Sequence, residues 1–176
     1  MNSYDVRIWG DPVLKKVAED VTEIDGALVD TCNAMLETMY EVPGIGLAAP
    51  QVGISKRFFV YDMTGGDDPN VIINPVISET RGEWVYEEGC LSVPGLSWEI
   101  VRPREILITG YDLDEREVQF EVDDLAARLF QHELDHLDGT LLLEYLEEDE
   151  VREAKRILRS RAMDVEQTDG SGLHLP

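Results

Sequence analysis

The stretch that most limits what this chain can become is Gln131-His132-Glu133-Leu134-Asp135-His136-Leu137-Asp138-Gly139, which holds two of its three histidines four residues apart. On a helix that spacing stacks both imidazoles on one face, about one turn apart, within reach of a single cation. Glu133 leans over the same site. This is the H-E-x-x-H pattern, in which a metal acidifies a bound water and the glutamate takes its proton, so it points to metal-assisted hydrolysis. The flanks suit a helix: Asp123 or Asp124 can cap its start, Leu125, Ala126, Leu129, Phe130 and Leu137 supply apolar positions, and Gly139 can end it. The competing reading is a half-buried helix carrying two solvated histidines.

A catalytic site of the zinc type keeps three protein ligands and one open position, so a third ligand is needed. A histidine at the metzincin spacing would fall on Leu142, which excludes that arrangement. Glu144, Glu147, Glu150 and Glu153 are downstream candidates within an acidic stretch. Upstream, Cys90 in Glu87-Glu88-Gly89-Cys90-Leu91-Ser92 is the better one. The other cysteine, Cys32, shares a helical stripe with Leu28, Met35, Leu36 and Met39 and reads as core. A disulfide is therefore not expected, and Cys90 is left as a reduced thiol.

The chain has 176 residues, enough for one well-packed domain. Fifteen Lys and Arg against 37 Asp and Glu give a net charge of -22, which disfavours DNA and anionic membranes. No apolar run approaches a membrane span, and Met1-Asn2-Ser3-Tyr4-Asp5 lacks the build of a signal peptide, so a cytoplasmic location is expected.

Asp11-Pro12 predicts a short helix over Val13 to Ala18, and Asp25 opens an amphipathic helix to Glu41. Gly44-Ile45-Gly46-Leu47-Ala48-Ala49-Pro50-Gln51-Val52-Gly53 is too rich in small residues for an ordinary helix or strand and suits close approach to a ligand or another backbone. Strands are predicted at 57–61, 71–77, 82–86, 97–101, 106–111 and 118–122, with a short edge strand at Leu141-Leu142-Leu143. The expected class is α+β: mixed or antiparallel sheets surrounding a central metal-binding helix, with a C-terminal helix from Asp149 to Met163. That last helix gathers Arg152, Lys155, Arg156, Arg159 and Arg161, a third of the basic residues. Residues 1–163 are expected to form one catalytic domain. Residues 164–176, His174 among them, read as a flexible tail.

Three segments, Gly44-Ile45-Gly46-Leu47-Ala48-Ala49-Pro50-Gln51, then Glu88-Gly89-Cys90-Leu91-Ser92, then Gln131-His132-Glu133-Leu134-Asp135-His136, closely resemble in order and content the signature motifs of peptide deformylases. The resemblance spans about residues 1–163. It implies Cys90, His132 and His136 as ligands of one divalent metal, most often Fe(II), with zinc, nickel or cobalt as substitutes. It implies Glu133 as general base and acid, and Gln51 with the Leu91 N–H as oxyanion donors. It places Ile45, Gly46, Tyr86, Glu88, Gly89, Leu125 and Leu129 at the substrate. Asp135 and Arg102 can pair with Glu88 in a buried contact that orients the ligands, the alternative being a surface salt bridge. The implied reaction removes the N-formyl group from the initiator methionine of new polypeptides, releasing formate, and the basic last helix is a candidate ribosome contact. The alternatives are a zinc metallopeptidase with a downstream glutamate ligand and an inactive ribosome-associated module.

Overall fold

The computed structural model describes residues 3–169, with side chains described as far as Arg161. Asp11 caps a 3-10 turn at Pro12–Lys15, accepting from the Val13 N–H at 3.0 Å, so the short helix expected there is one turn. α1 (Gly26–Glu41) starts where the Asp25 carboxylate accepts from the Leu28 N–H, satisfying a donor that a first turn leaves free. The small-residue stretch divides into β1 (Gly46–Ala48) and a 3-10 turn at Ala49–Val52. There follow β2 (Phe58–Tyr61), β3 (Asn70–Arg81), β4 (Trp84–Cys90), β5 (Val93–Arg102), β6 (Glu105–Tyr111) and β7 (Glu117–Asp123). α2 (Asp124–Leu137) comes straight out of β7, and α3 (Glu148–Asp169) closes the order.

Five strands form one antiparallel sheet in the order β1-β2-β3-β6-β7, and β4 and β5 pair separately as a hairpin. Because successive side chains on a strand point to opposite faces, the apolar run in β2 feeds two cores. Phe59 joins Ile72, Ile106 and Ile108 against Ala127, Leu129, Phe130 and Leu137 of α2. Phe58 and Val60 face the other way, with Ile73, onto Cys32, Met35 and Met39 of α1. The sheet is thus covered on both faces, and α2 is held between it and the hairpin. Cys32 is core and both cysteines are free, as expected.

Several boundaries differ from the sequence reading. β3 runs four residues past Ile77, with two register shifts against β6 that let a long strand keep pairing as it bends. β4 runs four residues past the predicted end at 86, so that Cys90 ends a strand. Asp123 occupies the cap position of α2 but its side chain makes no capping bond, and Asp124, at φ +46°, donates its N–H to the Arg104 carbonyl. Leu142 and Leu143 lie in a 3-10 turn (Leu142–Tyr145) that buries both against the core, so no edge strand forms there. α3 passes the expected end at 163 and continues to Asp169, so part of the predicted tail is helical; His174 lies outside the described residues.

Candidate metal centre

α2 brings His132 and His136 to one face with ring centroids 5.0 Å apart, and the end of β4 brings up Cys90, whose Sγ lies 3.3 Å from His136 Nε2. The ligating atoms of Cys90, His132 and His136 all fall within 4.8 Å of one another, so the three form a metal-binding group. None of the downstream glutamates joins this group. Glu144 pairs with Lys15, Glu150 accepts from the Glu147 N–H and Glu153 pairs with Arg156.

The donor set fits a divalent ion. Burial would raise the Cys90 thiol, yet the imidazoles of His136 and His132 hold it well below its usual value, favouring the thiolate that metals bind. His132 gives its Nδ1–H to Glu88 Oε2 at 3.0 Å, so its Nε2 lone pair is the one left for an ion. One thiolate and two imidazoles suit soft-to-borderline cations such as Fe(II) or zinc.

Glu133, one residue along from His132, is 3% exposed and its Oε2 has no hydrogen-bond partner. Burial lifts its carboxyl above the ordinary range, against the pull of the two histidines. Gly46 of β1 lies against it: a Cβ there would stand 2.6 Å from Glu133 Oε1 and 2.6 Å from Leu129 Cδ1. Gln51 is buried with its orientation fixed. Its Oε1 accepts from the Ala48 N–H at 2.9 Å, which turns Nε2 toward Ser92 Oγ at 3.2 Å and Cys90 Sγ at 3.9 Å.

Beneath the ligands lies a buried ion network. Glu88, 6% exposed, accepts from Arg102 at 2.6 and 3.0 Å, and from Arg128 and His132. Burial works to raise the Glu88 carboxyl, but the hydrogen bonds from His132 and Arg102 hold it at about 2. Arg102 also reaches Asp135 at 2.9 Å, which accepts from the Tyr145 hydroxyl at 2.8 Å. Glu88, Arg102 and Asp135 thus meet as expected.

A cavity of about 390 Å³ opens over the group, lined by Ile45, Gly46, Gln51, Gly89, Cys90, Leu91, Gly95, Leu96, His132 and Glu133, with Pro43 and Gly44. Ile45, Gly46 and Gly89, named as substrate residues from the sequence, are among its walls. Leu129 lies behind Gly46. Tyr86 and Leu125 are exposed and do not line this cavity, and Glu88 faces away from it into the ion network. Arg128 and Tyr145 were missed. The signal for Arg128 was its place four residues before His132, on the same helix face.

An antiparallel α+β fold that sets a thiolate and two imidazoles beside a buried carboxylate, at the head of a cavity, defines a metal-dependent hydrolase. Comparison with known proteins narrows the class. The polypeptide deformylase family model matches residues 3–152. A peptide deformylase of Thermotoga neapolitana is 47% identical over 164 residues, covering 92% of this chain and 96% of that protein. The crystal structure of the Thermotoga maritima peptide deformylase superposes with a TM-score of 0.80 at 46% identity, over 84% of this chain and 99% of that one. The Legionella pneumophila peptide deformylase gives 0.89 at 33% identity, over 98% and 100%. The chain belongs to the peptide deformylase family. It is an enzyme that removes N-formyl groups from peptides in a metal-dependent reaction.

No helix among the described residues is long and apolar enough to cross a membrane.

Proposed function

We propose that this chain deformylates the initiator methionine of nascent polypeptides, with Cys90, His132 and His136 holding a single ion, natively Fe(II). Zinc, nickel or cobalt can take its place. The convergence of three donor atoms within 4.8 Å beside the orphaned Glu133 Oε2 carries the reading. When bound, the ion supplies a water acidified toward a pKa of about 7 and polarises the formyl oxygen.

The remaining steps belong to the chain. Glu133 Oε2 takes the proton of the attacking water; its raised affinity for protons lets it keep that proton and return it to the leaving amine nitrogen. Gln51 Nε2, already aimed by the Ala48 N–H, and the backbone N–H of Leu91 donate to the oxygen that becomes negative in the tetrahedral intermediate. Losing one such donor costs about 2.7 to 4 kcal/mol of barrier. Ile45, Gly46 and Gly89 border the substrate directly, with Leu129 behind Gly46 and Glu88 behind the ligands.

Gly46 pressed against Glu133 leaves little width over the ligands, so a formyl group enters and an acetyl group, one methyl larger, does not. Release of formate from formyl-Met-Ala-Ser, abolished in Glu133→Gln, tests the activity and the base together. Comparable turnover of acetyl-Met-Ala-Ser would refute the steric part alone.

The same reading places the protein in the cytoplasm, at the ribosome. On a chain of net charge -22, Arg152, Lys155, Arg156, Arg159 and Arg161 along α3 offer a local basic surface to RNA. Co-sedimentation with ribosomes should fall steeply with salt and on reversing these charges. Binding indifferent to both removes the contact and leaves the catalytic reading intact.

A further inference from the structure

Arg128 is an unusual residue for the middle of a metal-binding helix. It lies one turn before His132 and is 3% exposed, and arginine is rarely so deeply buried unless paired; both terminal nitrogens are paired, while Nε has no partner. One terminal nitrogen donates to the Glu88 carboxylate and, at 3.0 Å, to the Ile100 carbonyl; the other donates to the Trp84 carbonyl. The guanidinium also covers the Trp84 and Tyr86 rings, 5.0 and 5.6 Å from their centroids. Every one of these partners sits on the β4–β5 hairpin, whose first strand ends in Cys90.

We propose that Arg128 is a positioning residue that ties the hairpin bearing Cys90 to the helix bearing His132 and His136, and so fixes the spacing of the metal-binding group. The ligands come from two elements that are not hydrogen-bonded into one sheet, so the separation of sulfur from imidazoles is only as well defined as the joint between them. A guanidinium is suited to that joint. It is planar, permanently charged, and offers several donors in a rigid fork, so it can hold two strand carbonyls and a carboxylate at once.

Charge balance leads to the same residue. Glu88 and Asp135 are the two carboxylates of the network, and Arg102 reaches both. Arg128 supplies the second positive charge and is directed at Glu88 alone of the two. Without it, Glu88 would compete with Asp135 for one guanidinium, and the carboxylate that orients the His132 ring would be free to shift.

The inference rests on Cys90, His132 and His136 being the ligands, and the test separates the two. The full chain is loaded with Co(II), and the thiolate-to-cobalt absorption and the rate of cobalt loss to a chelator are measured for the parent, Arg128→Met, Arg128→Lys and Cys90→Ala. Arg128→Met keeps length and removes every donor; Arg128→Lys keeps the charge and loses the fork. Cobalt loss is expected to quicken about tenfold or more in Arg128→Met, the scale of losing a supporting partner of a ligand, with an altered absorption band and a smaller change in Arg128→Lys. Arg104→Ala, which breaks an exposed ion pair with Asp124 at the start of the same helix, should match the parent. Release rates and bands within twofold of the parent in the Arg128 variants would overturn the proposal. Should Arg128→Met fail to fold, Arg128→Lys decides by the same criterion. A Cys90→Ala protein that keeps the full thiolate band would instead remove the ligand set itself.

Discussion

At position 46 a hydrogen stands where any other residue would put a carbon. The methyl of Gly46→Ala would meet Glu133 Oε1 and Leu129 Cδ1, each at 2.6 Å, closer than real side chains approach. β1 is buried at all three positions and paired to β2, so its backbone is poorly placed to give way. The carboxylate must turn instead. A displacement of about 1 Å can cost about a hundredfold in rate, so kcat for formate release should fall by about that factor. Cobalt content should stay near one per chain, because the ligands are untouched. Full activity in the variant would mean that Glu133 has freedom this packing denies it. The ligands were legible in sequence because a helix forces residues four apart onto one face, and because the motif around Cys90 pointed to the sulfur. Arg128 and the full set of bonds that Glu88 accepts were missed for the same physical reason. Their partners lie on elements distant in sequence, and no local period records such pairing.

Elements read well where one pattern decided them and poorly where tertiary contact did. α1 was bounded correctly because Asp25 caps it and Pro43-Gly44 follow its end. The triple leucine at 141–143 looks like a strand by composition, yet all three are buried and Leu142 and Leu143 lie in a turn, with Leu143 packed on Val93, Ala154 and Leu158. The link from β2 into the following turn depends on a residue that sequence alone did not single out. Buried Asp62 accepts from the Thr64 hydroxyl and N–H at 2.6 and 2.7 Å, from the Gly66 N–H at 2.8 Å and from the Tyr40 hydroxyl at 2.7 Å. Its own N–H donates to the Ile45 carbonyl, which ties this turn to the rim of the catalytic cavity. The Thr64 hydroxyl first, then Tyr40 and the backbone donors, hold the carboxyl well below the ordinary range despite burial. A depressed value means that the contribution to stability is present above the unfolded carboxyl pKa of about 3.9 and is lost as pH falls below it. Asp62→Asn should therefore lower the urea midpoint at neutral pH, and the gap to the parent should narrow steadily as pH drops below about 4. A gap that stays constant across that range would show that the charged form has no special role.

On the scale of the whole molecule, the antiparallel α+β class was legible because β patterns came in succession without alternating helices. The way the sheet is covered on both faces was not, since it requires knowing that Phe58 and Phe59 look in opposite directions onto two helices. Charge is the other global property, and it bears on the metal. A chain of net charge -22 sits in a negative potential of its own making, which draws divalent cations in and also strains the folded state by self-repulsion. The three donors that would hold the ion converge only in the folded chain, so an ion bound there favours the folded state. The metal should therefore contribute to stability as well as to catalysis. With free ion held about a thousandfold above its Kd, mass action adds about 4 kcal/mol to the folded state. In a domain of this size, where each kcal/mol moves Tm by about 2–4 °C, chelation should lower Tm by about 8–16 °C. Scanning calorimetry at low ionic strength, with and without chelator, reads this directly. Cys90→Ala, which removes a ligand, should show most of the drop already and little further response to chelation. A parent protein whose Tm is indifferent to chelator at low salt would mean that the fold supports this site without any help from the ion it holds.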